Sequence, residues 1–428
     1  MKFTKKILKN GLRVLTVPMG ENPAVTVLVL VEAGSRYETK EINGISHFLE
    51  HMVFKGTPTR PNASDISREL DSLGSEYNAF TSDEYTGYYA KVDKKHLDKA
   101  LDIVSDMYLN PLFKEEEIEK EKGVIIEEIR MYNDLPQRKV HDVIGSLMYG
   151  DQPAGWTVLG SEKNIKSFTR EHFIDYRKKH YVAKATTIIV SGNIEEEEVI
   201  KKIEKVWSNI PNEEKHPKLK VVESQKKPEI EVVYKDTDQT HIAIGIRTFS
   251  TFDKRKPTMK VLSGVLGKGM SSRLFSKMRD KLGICYYIRA SHITYTDHGY
   301  LCIPAGIDTS RIKIGIENII EEISRLREEL VSSEELQKAK DYLSGTLMLG
   351  LETSDSQAEY IGDQEIIKGE IKLPEKVIEE IQSVTKEDIR NLAREIFVDN
   401  NLNMAIVGPF KNKEEFIPFL TLDKTSKK

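Results

Sequence analysis

The strongest constraint on the fold is that the second half of the chain repeats the pattern of the first. In the first half, a long predicted helix follows the stretch SLGSEYNAFTSDEYTGYYAKV, and in the second half KLGICYYIRASHITYTDHGYLCIPAGI holds the same place. Near the ends of the two halves stand TIIVSGNIEEEEV and NMAIVGPFKNKEEF. A repeat of about half the chain indicates a duplicated domain and excludes a solenoid, whose units are roughly 20 to 50 residues long.

Both halves combine strand and helix patterns. The segment KILKNGLRVLTVP turns at Asn10-Gly11, which is a strong hairpin signal, and AVTVLVLVEAG is typical of a further strand. Helical periodicity follows in each half. We therefore predict an α+β protein of two homologous α/β sandwich domains, each a mostly antiparallel sheet with helices packed against one face.

The two domains are predicted to be continuous along the chain. Residues 1–212 form the N-terminal domain and residues 229–428 the C-terminal domain. Residues 213–228 carry prolines and lysines without apolar periodicity and are predicted to be a linker. The length of 428 residues agrees with this division, because it exceeds what a single core usually holds.

The composition excludes several classes of partner. The 64 basic and 68 acidic residues nearly balance, so nothing favours nucleic acid or an anionic membrane surface. No stretch approaches the ~18 consecutive apolar residues of a membrane span, and the amino terminus lacks the apolar run of a signal peptide. Cys285 and Cys302 are too few for a disulfide framework. We therefore expect a cytoplasmic protein.

Five polar residues of the first half have no counterpart in the second. They are His47, Glu50, His51, Glu121 and Glu128, and the matching residues of the second half are Lys260, Ser263, Gly264, Ala339 and Thr346. The second half has kept the pattern of the fold and lacks this polar set. The comparison therefore selects these five residues as candidates for chemistry.

Three of the five form the pattern His-x-x-Glu-His. An α-helix advances ~100° per residue, so His47, Glu50 and His51 share one helix face. Two imidazoles and a carboxylate suit zinc, and a catalytic zinc usually takes three protein ligands and leaves one position to water. In this inverted zincin order the middle acid serves as general base, and the third ligand comes from elsewhere. The alternative is an amphipathic helix whose histidines have no common role.

A second acidic row lies further along the chain. In EKEKGVIIEEIRMY, Glu121 and Glu128 are seven residues apart and therefore share a helix face. A helix with several glutamates usually just faces water, and that is the alternative.

The chain resembles the inverzincin metallopeptidases, which include pitrilysin, insulin-degrading enzyme and the mitochondrial processing peptidase. The resemblance runs through the whole chain and includes NGLRV, NAFTSDEYTGYY, GWTVLGSEKNI, IIVSG and SSRLFSKMRDKLGICYY. It implies a short, two-domain member of bacterial type. By resemblance, His47, His51 and Glu128 hold Zn2+, Glu50 is the general base, and Glu121 supports the ligand geometry.

The resemblance also implies substrate-binding residues. Asn78 and Ala79 match an edge strand that pairs with an extended peptide, and an ordinary strand is the alternative. Arg279 and Tyr286 match an arginine and a tyrosine that relatives bring from a partner lobe to bind substrate and stabilise the oxyanion. Without the resemblance, these two would be ordinary packing or surface residues.

The predicted function is that of a zinc-dependent endopeptidase that cleaves unstructured peptides or presequence-like segments inside an enclosed chamber. Water activated by zinc attacks the peptide carbonyl, and Glu50 takes the proton. Long relatives join four such domains in one chain, so this chain of two is predicted to form a homodimer with composite active sites. The alternatives are a catalytically silent structural or assembly subunit of the same family and a closed structural zinc site. The other eight histidines are expected to be solvent-exposed and without a role.

Overall fold

The chain forms two β-sheets, one from each half of the sequence. A computed structural model describes residues 1–422. The strands, in chain order, are β1 (Thr4–Ile7), β2 (Arg13–Pro18), β3 (Ala24–Val31), β4 (Glu76–Thr81), β5 (Thr86–Asp93), β6 (Thr186–Gly192), β7 (Glu229–Tyr234), β8 (Gln239–Arg247), β9 (Cys285–Ile288), β10 (Ser291–Thr294), β11 (Gly299–Asp308) and β12 (Leu402–Gly408). The predicted hairpin is present, because β1 and β2 pair antiparallel on either side of Asn10-Gly11.

Helices fill most of the chain between the strands. They are α1 (Ile45–Val53), α2 (Ala63–Ser72), α3 (Leu97–Leu109), α4 (Glu115–Asp134), α5 (Pro136–Tyr149), α6 (Glu162–Ser167), α7 (Arg170–His180), α8 (Glu196–Val206), α9 (Lys256–Gly267), α10 (Arg273–Phe275), α11 (Ile312–Glu328), α12 (Ser333–Leu349), α13 (Ser354–Lys368), α14 (Pro374–Ser383) and α15 (Lys386–Ile396). None of the described helices combines the length and the apolar character that crossing a bilayer requires.

The two sheets have the same strand order. The first runs β1-β2-β6-β3-β5-β4 and the second β7-β12-β8-β11-β10, with β9 also paired to β11. Apart from β1 and β9, each strand of one sheet has a counterpart at the same place in the other. In each sheet a single pair is parallel, β2 with β6 and β7 with β12, and the rest are antiparallel. The predicted α+β class and the two homologous, mostly antiparallel sheets are therefore confirmed.

The first sheet is covered on both faces. One set of β3 side chains, including Val27 and Val29, packs in a core with α1, α3, α7 and α8. The alternate set, including Leu28 and Leu30, packs against α13, which comes from the second half of the sequence. We expected helices against one face, and the second face is covered as well. Both faces of β3 are buried, and a strand of this kind requires apolar residues on both faces. The sequence of β3 is therefore a nearly continuous apolar run.

The second sheet shows the reciprocal arrangement. Helix α5, from the first half of the sequence, packs through Val140 and Ile144 against Ala243, Ala405 and Val407 of the second sheet. The two compact units are therefore discontinuous. One consists of Met1–Arg130, Trp156–Leu219 and Leu349–Lys372; the other consists of Met131–Gly155, Lys220–Met348 and the described chain from Leu373 onward.

The predicted domain boundaries need correction for this reason. The proposed domains 1–212 and 229–428 each contain a segment that belongs to the other unit. The proposed linker, 213–228, is held by side-chain contacts along its length. In its first part Lys215 Nζ lies 2.7 Å from Glu32 Oε2, and further on Glu223 Oε1 lies 2.7 Å from Arg247 Nη1. Residues 213–228 otherwise fit a linker, because they form neither helix nor strand, are mostly exposed, and contain the change from one unit to the other between Leu219 and Lys220.

Candidate metal centre

Two helices bring three of the predicted residues together. His47 and His51 lie one turn apart on α1, and Glu128 lies on α4. Glu128 Oε2 is 3.7 Å from His47 Nε2 and 3.7 Å from His51 Nε2. Three ligand atoms, one from each residue, lie within 4.8 Å of one another, and among residues 1–422 this is the one such group of His, Cys, Asp and Glu. Donors around a tetrahedral zinc stand ~3.4 Å apart, so this donor set fits the ion.

The protonation of His47 suits a ligand role. Burial, together with the neighbouring His51, lowers the pKa of His47 to about 3. A neutral imidazole keeps a lone pair for a metal, whereas an imidazolium has none. Burial also raises the pKa of Glu128, with the proximity of His51 acting in the opposite direction. These side chains are therefore placed where a bound cation would compensate for the loss of solvent.

Glu121 supports one of the two histidines. Its Oε1 lies 2.9 Å from His51 Nδ1, and its Oε2 lies 2.5 Å from Lys55 Nζ. Burial acts to raise the pKa of Glu121, and the hydrogen bonds of His51 and Lys55 outweigh it and lower that pKa. An acceptor at Nδ1 leaves Nε2 of His51 directed towards Glu128. Nδ1 of His47, by contrast, is buried without a hydrogen-bond partner among the described residues.

Glu50 lies beside the group of three and is held by a different contact. Thr81, the last residue of β4, donates its hydroxyl hydrogen to Glu50 Oε2 over 2.5 Å. Burial raises the pKa of Glu50, and the Thr81 hydrogen bond and His51 act to lower it. A half-buried carboxylate with a fixed orientation and a raised pKa is suited to proton transfer.

The strand that carries Asn78 and Ala79 lies at an edge of the first sheet. Strand β4 pairs with β5 on one side, and no described strand pairs with its other side. Asn78 is exposed, and its Oδ1 accepts a hydrogen bond from the backbone N–H of Ala79 at 2.9 Å. The edge therefore offers backbone groups of the kind that pair with an added strand.

Arg279 and Tyr286 lie together in the second unit. The Arg279 guanidinium stands over the rings of Phe275 and Tyr286, 5.3 and 5.2 Å from their centroids, and donates a hydrogen bond to the backbone carbonyl of Tyr286. The Tyr286 residue is 69% exposed. The structure thus assembles the five polar residues in the first unit and this pair in the second.

Comparison with known proteins identifies the family to which a chain with this site belongs. Residues 13–162 match the family described as insulinase, peptidase family M16, and residues 167–343 match the peptidase M16 inactive domain. The chain belongs to peptidase family M16. This confirms the resemblance found in the sequence.

The M16 relatives are similar over nearly their full length. A protein named uncharacterized zinc protease YmxG, from Bacillus subtilis, is 36% identical over 411 residues, which cover 94% of this chain and 98% of the relative. A protein named uncharacterized zinc protease, from Rickettsia felis, is 36% identical over 410 residues, covering 95% and 98%.

Solved structures show the same fold. The crystal structure of a protease from Helicobacter pylori has a TM-score of 0.88 at 24% identity, covering 95% of this chain and 99% of that one. The crystal structure of a peptidase M16 inactive domain from Pseudomonas fluorescens has a TM-score of 0.88 at 16% identity, covering 96% and 99%.

In the second half of this M16 chain, an apolar contact takes the place of the polar pair His51 and Glu121. A Cβ atom at Gly264 would lie 3.5 Å from Cβ of Ala339, so α9 and α12 pack closely where α1 and α4 hold His51 and Glu121. Thr346, in the place of Glu128, donates its hydroxyl hydrogen to the carbonyl of Tyr342 on its own helix. Small residues that contact one another therefore take the places of His51 and Glu121 in the second half.

Three further residues of this M16 site were not selected by the sequence analysis. Lys55 follows His51 by four residues and lies just beyond the end of α1, where helical spacing no longer applies. Thr81 is the fourth residue of the quoted stretch NAFTSDEYTGYY, and nothing in the sequence indicated that its side chain contacts Glu50. Glu38 lies before α1 and accepts hydrogen bonds from residues five to eight positions further along the chain, which no periodicity in the sequence indicated.

Proposed function

We propose that this member of family M16 is a zinc-dependent endopeptidase. The observation that carries the proposal is the convergence of His47, His51 and Glu128 from two helices, with Glu50 beside them. His47 and His51, through Nε2, and Glu128 would hold the ion. When bound, zinc lowers the pKa of a coordinated water towards ~7 and polarises a substrate carbonyl. The names of the relatives, zinc proteases, support this metal and this activity.

Each remaining residue of the site has a role in the proposed mechanism. Glu50 takes a proton from the attacking water and delivers it to the leaving amine, which balances the hydrolysis of the peptide bond. Thr81 holds the Glu50 carboxylate in place. Glu121 keeps His51 in the tautomer and orientation that leave Nε2 available.

The proposed substrate is an unstructured peptide or a presequence-like segment. Its support is the open edge of β4, where Asn78 and Ala79 would pair with an extended backbone. Pairing through the main chain requires the peptide to be extended and places little demand on its amino-acid sequence. The resemblance also implies a chamber that encloses the site. Such a chamber would exclude folded proteins, because a folded protein cannot offer an extended strand.

We further propose that the active form is a homodimer with composite sites. The support is that one chain carries both the metal residues and the pair Arg279 and Tyr286, which resemble the substrate-binding pair of a partner lobe. In the second unit the two side chains are in contact, and Tyr286 is exposed. In the dimer, the pair from one copy would bind substrate at the metal centre of the other.

Substitution of the general base tests the proposed activity. Wild type and Glu50→Gln are purified, the bound metal is measured, and cleavage of a quenched unstructured peptide is followed. We expect about one zinc per chain in both proteins and cleavage by the wild type alone. Equal cleavage by both would remove Glu50 from the mechanism. Metal-loaded wild type that cleaves nothing would favour a silent subunit or a closed structural zinc site.

A further inference from the structure

A buried carboxylate stands at the beginning of the helix that carries the metal residues. Glu38 is 3% exposed and lies outside α1, six residues before its N-cap. Its Oε2 accepts hydrogen bonds from the backbone N–H of Gly44 at 2.8 Å and from Nδ2 of Asn43 at 2.9 Å. Its Oε1 accepts one from the backbone N–H of Ser46 at 2.8 Å. Both carboxylate oxygens are therefore engaged by the first turn of the helix or by the residue before it.

Glu38 takes the place of a local helix cap. The N-cap residue, Gly44, has no side chain to accept from the free N–H groups of the first turn, and its φ of 100° favours glycine. A methyl group at this position would lie 2.7 Å from the carbonyl oxygen of Leu159. The close approach of the 159–160 loop thus requires glycine, and the capping acceptor comes from elsewhere in the chain. A negative charge at this end also suits the helix dipole.

Two further contacts fix the same turn. Asn43, bound to Glu38, also donates to the carbonyl of Thr157 at 3.0 Å. The hydroxyl of Ser46 lies 2.7 Å from the hydroxyl of Tyr176 on α7. Ser46 directly precedes His47. The backbone that sets the direction of His47 is therefore held by Glu38, through the Ser46 N–H, and by Tyr176, through the Ser46 hydroxyl. Nδ1 of His47 has no hydrogen-bond partner among the described residues.

We propose that Glu38 is a positioning residue of the metal centre: it fixes the first turn of α1 and thereby aims His47 at the position of the ion. This rests on the proposed function, since it assumes that His47 is a metal ligand. His51 is oriented by Glu121, whereas His47 is oriented through its backbone. The two ligands of one helix therefore depend on two different carboxylates.

The proposal requires a carboxylate, not only a polar side chain of this size. A glutamine has one accepting oxygen and one donating NH2 group. In Glu38→Gln, the NH2 group would face a backbone N–H of Gly44 or Ser46, and two donors do not bond. The turn would shift to avoid this contact, and His47 would move with it. Glu38→Asp keeps both oxygens and shortens the reach by one methylene group.

Glu365 provides a matched control. It is a buried glutamate of the same unit, 1% exposed, and it pairs with Lys5 at 2.8 Å. Glu365→Gln removes a buried charge as Glu38→Gln does, and the ion pairs of Glu365 are with Lys5 and Arg13, which lie outside α1. Comparing the two variants separates an effect on the metal centre from a general loss of stability.

The test uses full-length protein and measures the metal centre directly. Zinc affinity is determined by competition with a chelator, and the visible absorption of the Co2+-substituted protein reports coordination geometry. We expect Glu38→Gln to weaken zinc binding by about 10- to 100-fold and to change the Co2+ spectrum, Glu38→Asp to act in the same direction, and Glu365→Gln to leave both unchanged.

The outcomes separate this proposal from the proposed function. A Glu38→Gln protein with the zinc affinity and Co2+ spectrum of wild type would overturn the positioning role. Equal changes in Glu365→Gln would assign the effect to stability and overturn it as well. If Glu38→Gln does not fold, the Glu38→Asp protein decides by the same two measurements. Wild type that binds no zinc would instead contradict the proposed function.

Discussion

The hydroxyl of Thr81 lies 2.5 Å from Glu50 Oε2, which joins the last residue of an edge strand to the proposed general base. The same strand, β4, carries Asn78 and Ala79, the proposed peptide-binding residues. A substrate that paired with this strand would therefore be in register with the group that moves the proton. The proposed substrate-binding strand therefore contacts the proposed general base through Thr81.

Replacement of Thr81 by valine is expected to shift the pH dependence of the reaction. Glu50 has to be ionised to accept a proton, and the Thr81 hydrogen bond lowers its pKa against the effect of burial. Without that bond the pKa rises, so the acidic limb of the kcat/KM profile moves to higher pH, by about 0.7 unit for a hydrogen bond of ~1 kcal/mol. Thr81→Ser keeps the hydroxyl and should keep the wild-type profile. An unshifted limb in Thr81→Val would show that the contact does not tune the base.

Removal of the Glu121 charge is expected to weaken metal binding. Glu121→Gln loses the charge that pairs with Lys55 and weakens the acceptor of His51 Nδ1. Zinc affinity should fall by about 10- to 100-fold, as measured by chelator competition. Glu127→Gln is the control on the same helix, because Glu127 is exposed and pairs only with Arg130 among its described contacts. A loss of equal size in both variants would count against a specific role of Glu121.

The strand edge is tested at Ala79. Its backbone N–H bonds to Asn78 Oδ1, so it points away from β5 and towards the open edge. Ala79→Pro removes that N–H at an edge, where proline is tolerated. We expect KM for an unstructured peptide to rise up to about tenfold, the value of one lost hydrogen bond, with a smaller change in kcat. Ala79→Gly retains the N–H and should behave like wild type; a normal KM in the proline variant would argue against strand pairing.

Composite sites are tested by combining two inactive chains. In a dimer of Glu50→Gln with Arg279→Ala, one of the two sites would receive an intact copy of each residue set. Co-expression should therefore restore about one quarter of the wild-type sites when chains pair at random. Co-expression of Glu50→Gln with His51→Ala places both defects in the same set and should restore nothing. No activity from the first pair would contradict the shared site.

Buried histidines are expected to limit stability in acid. Burial chiefly lowers the pKa of His47 and His292 to about 3 and that of His180 to about 4. The unfolded chain binds protons at these residues near the ordinary pKa of ~6.5, so between ~6.5 and ~4 it holds more protons than the folded chain. The free energy of unfolding therefore falls as the pH decreases through this range. The slope of Tm against pH, measured on metal-free protein, should be shallower in His292→Asn than in wild type.

The expectation that the eight histidines outside the motif are solvent-exposed is wrong for several of them. His180 and His298 are 6% and 4% exposed. Neighbouring charged residues in the sequence indicated exposure, and tertiary contacts override that signal. His180, for example, lies among aromatic rings, with the centroid of Tyr176 4.4 Å from its own.

Two features of the sequence selected the residues that the structure groups together. Helical spacing placed His47, Glu50 and His51 on one face, and the missing counterparts in the second half selected Glu121 and Glu128. Contacts between distant segments were not accessible in this way. An amphipathic pattern indicates which face of α5 or α13 is buried, but it does not indicate which sheet covers that face. The continuous apolar run of β3 did contain the signal for a sheet buried on both sides.

The reciprocal placement of α5 and α13 bears on the origin of this chain. Each half lends a helix to the sheet of the other, so a half released by cutting near residue 212 would leave one apolar sheet surface bare. An ancestor of one half would have needed a second copy to cover that surface, each copy lending its helix to its twin. Joining two such copies in one chain would make this exchange of helices permanent.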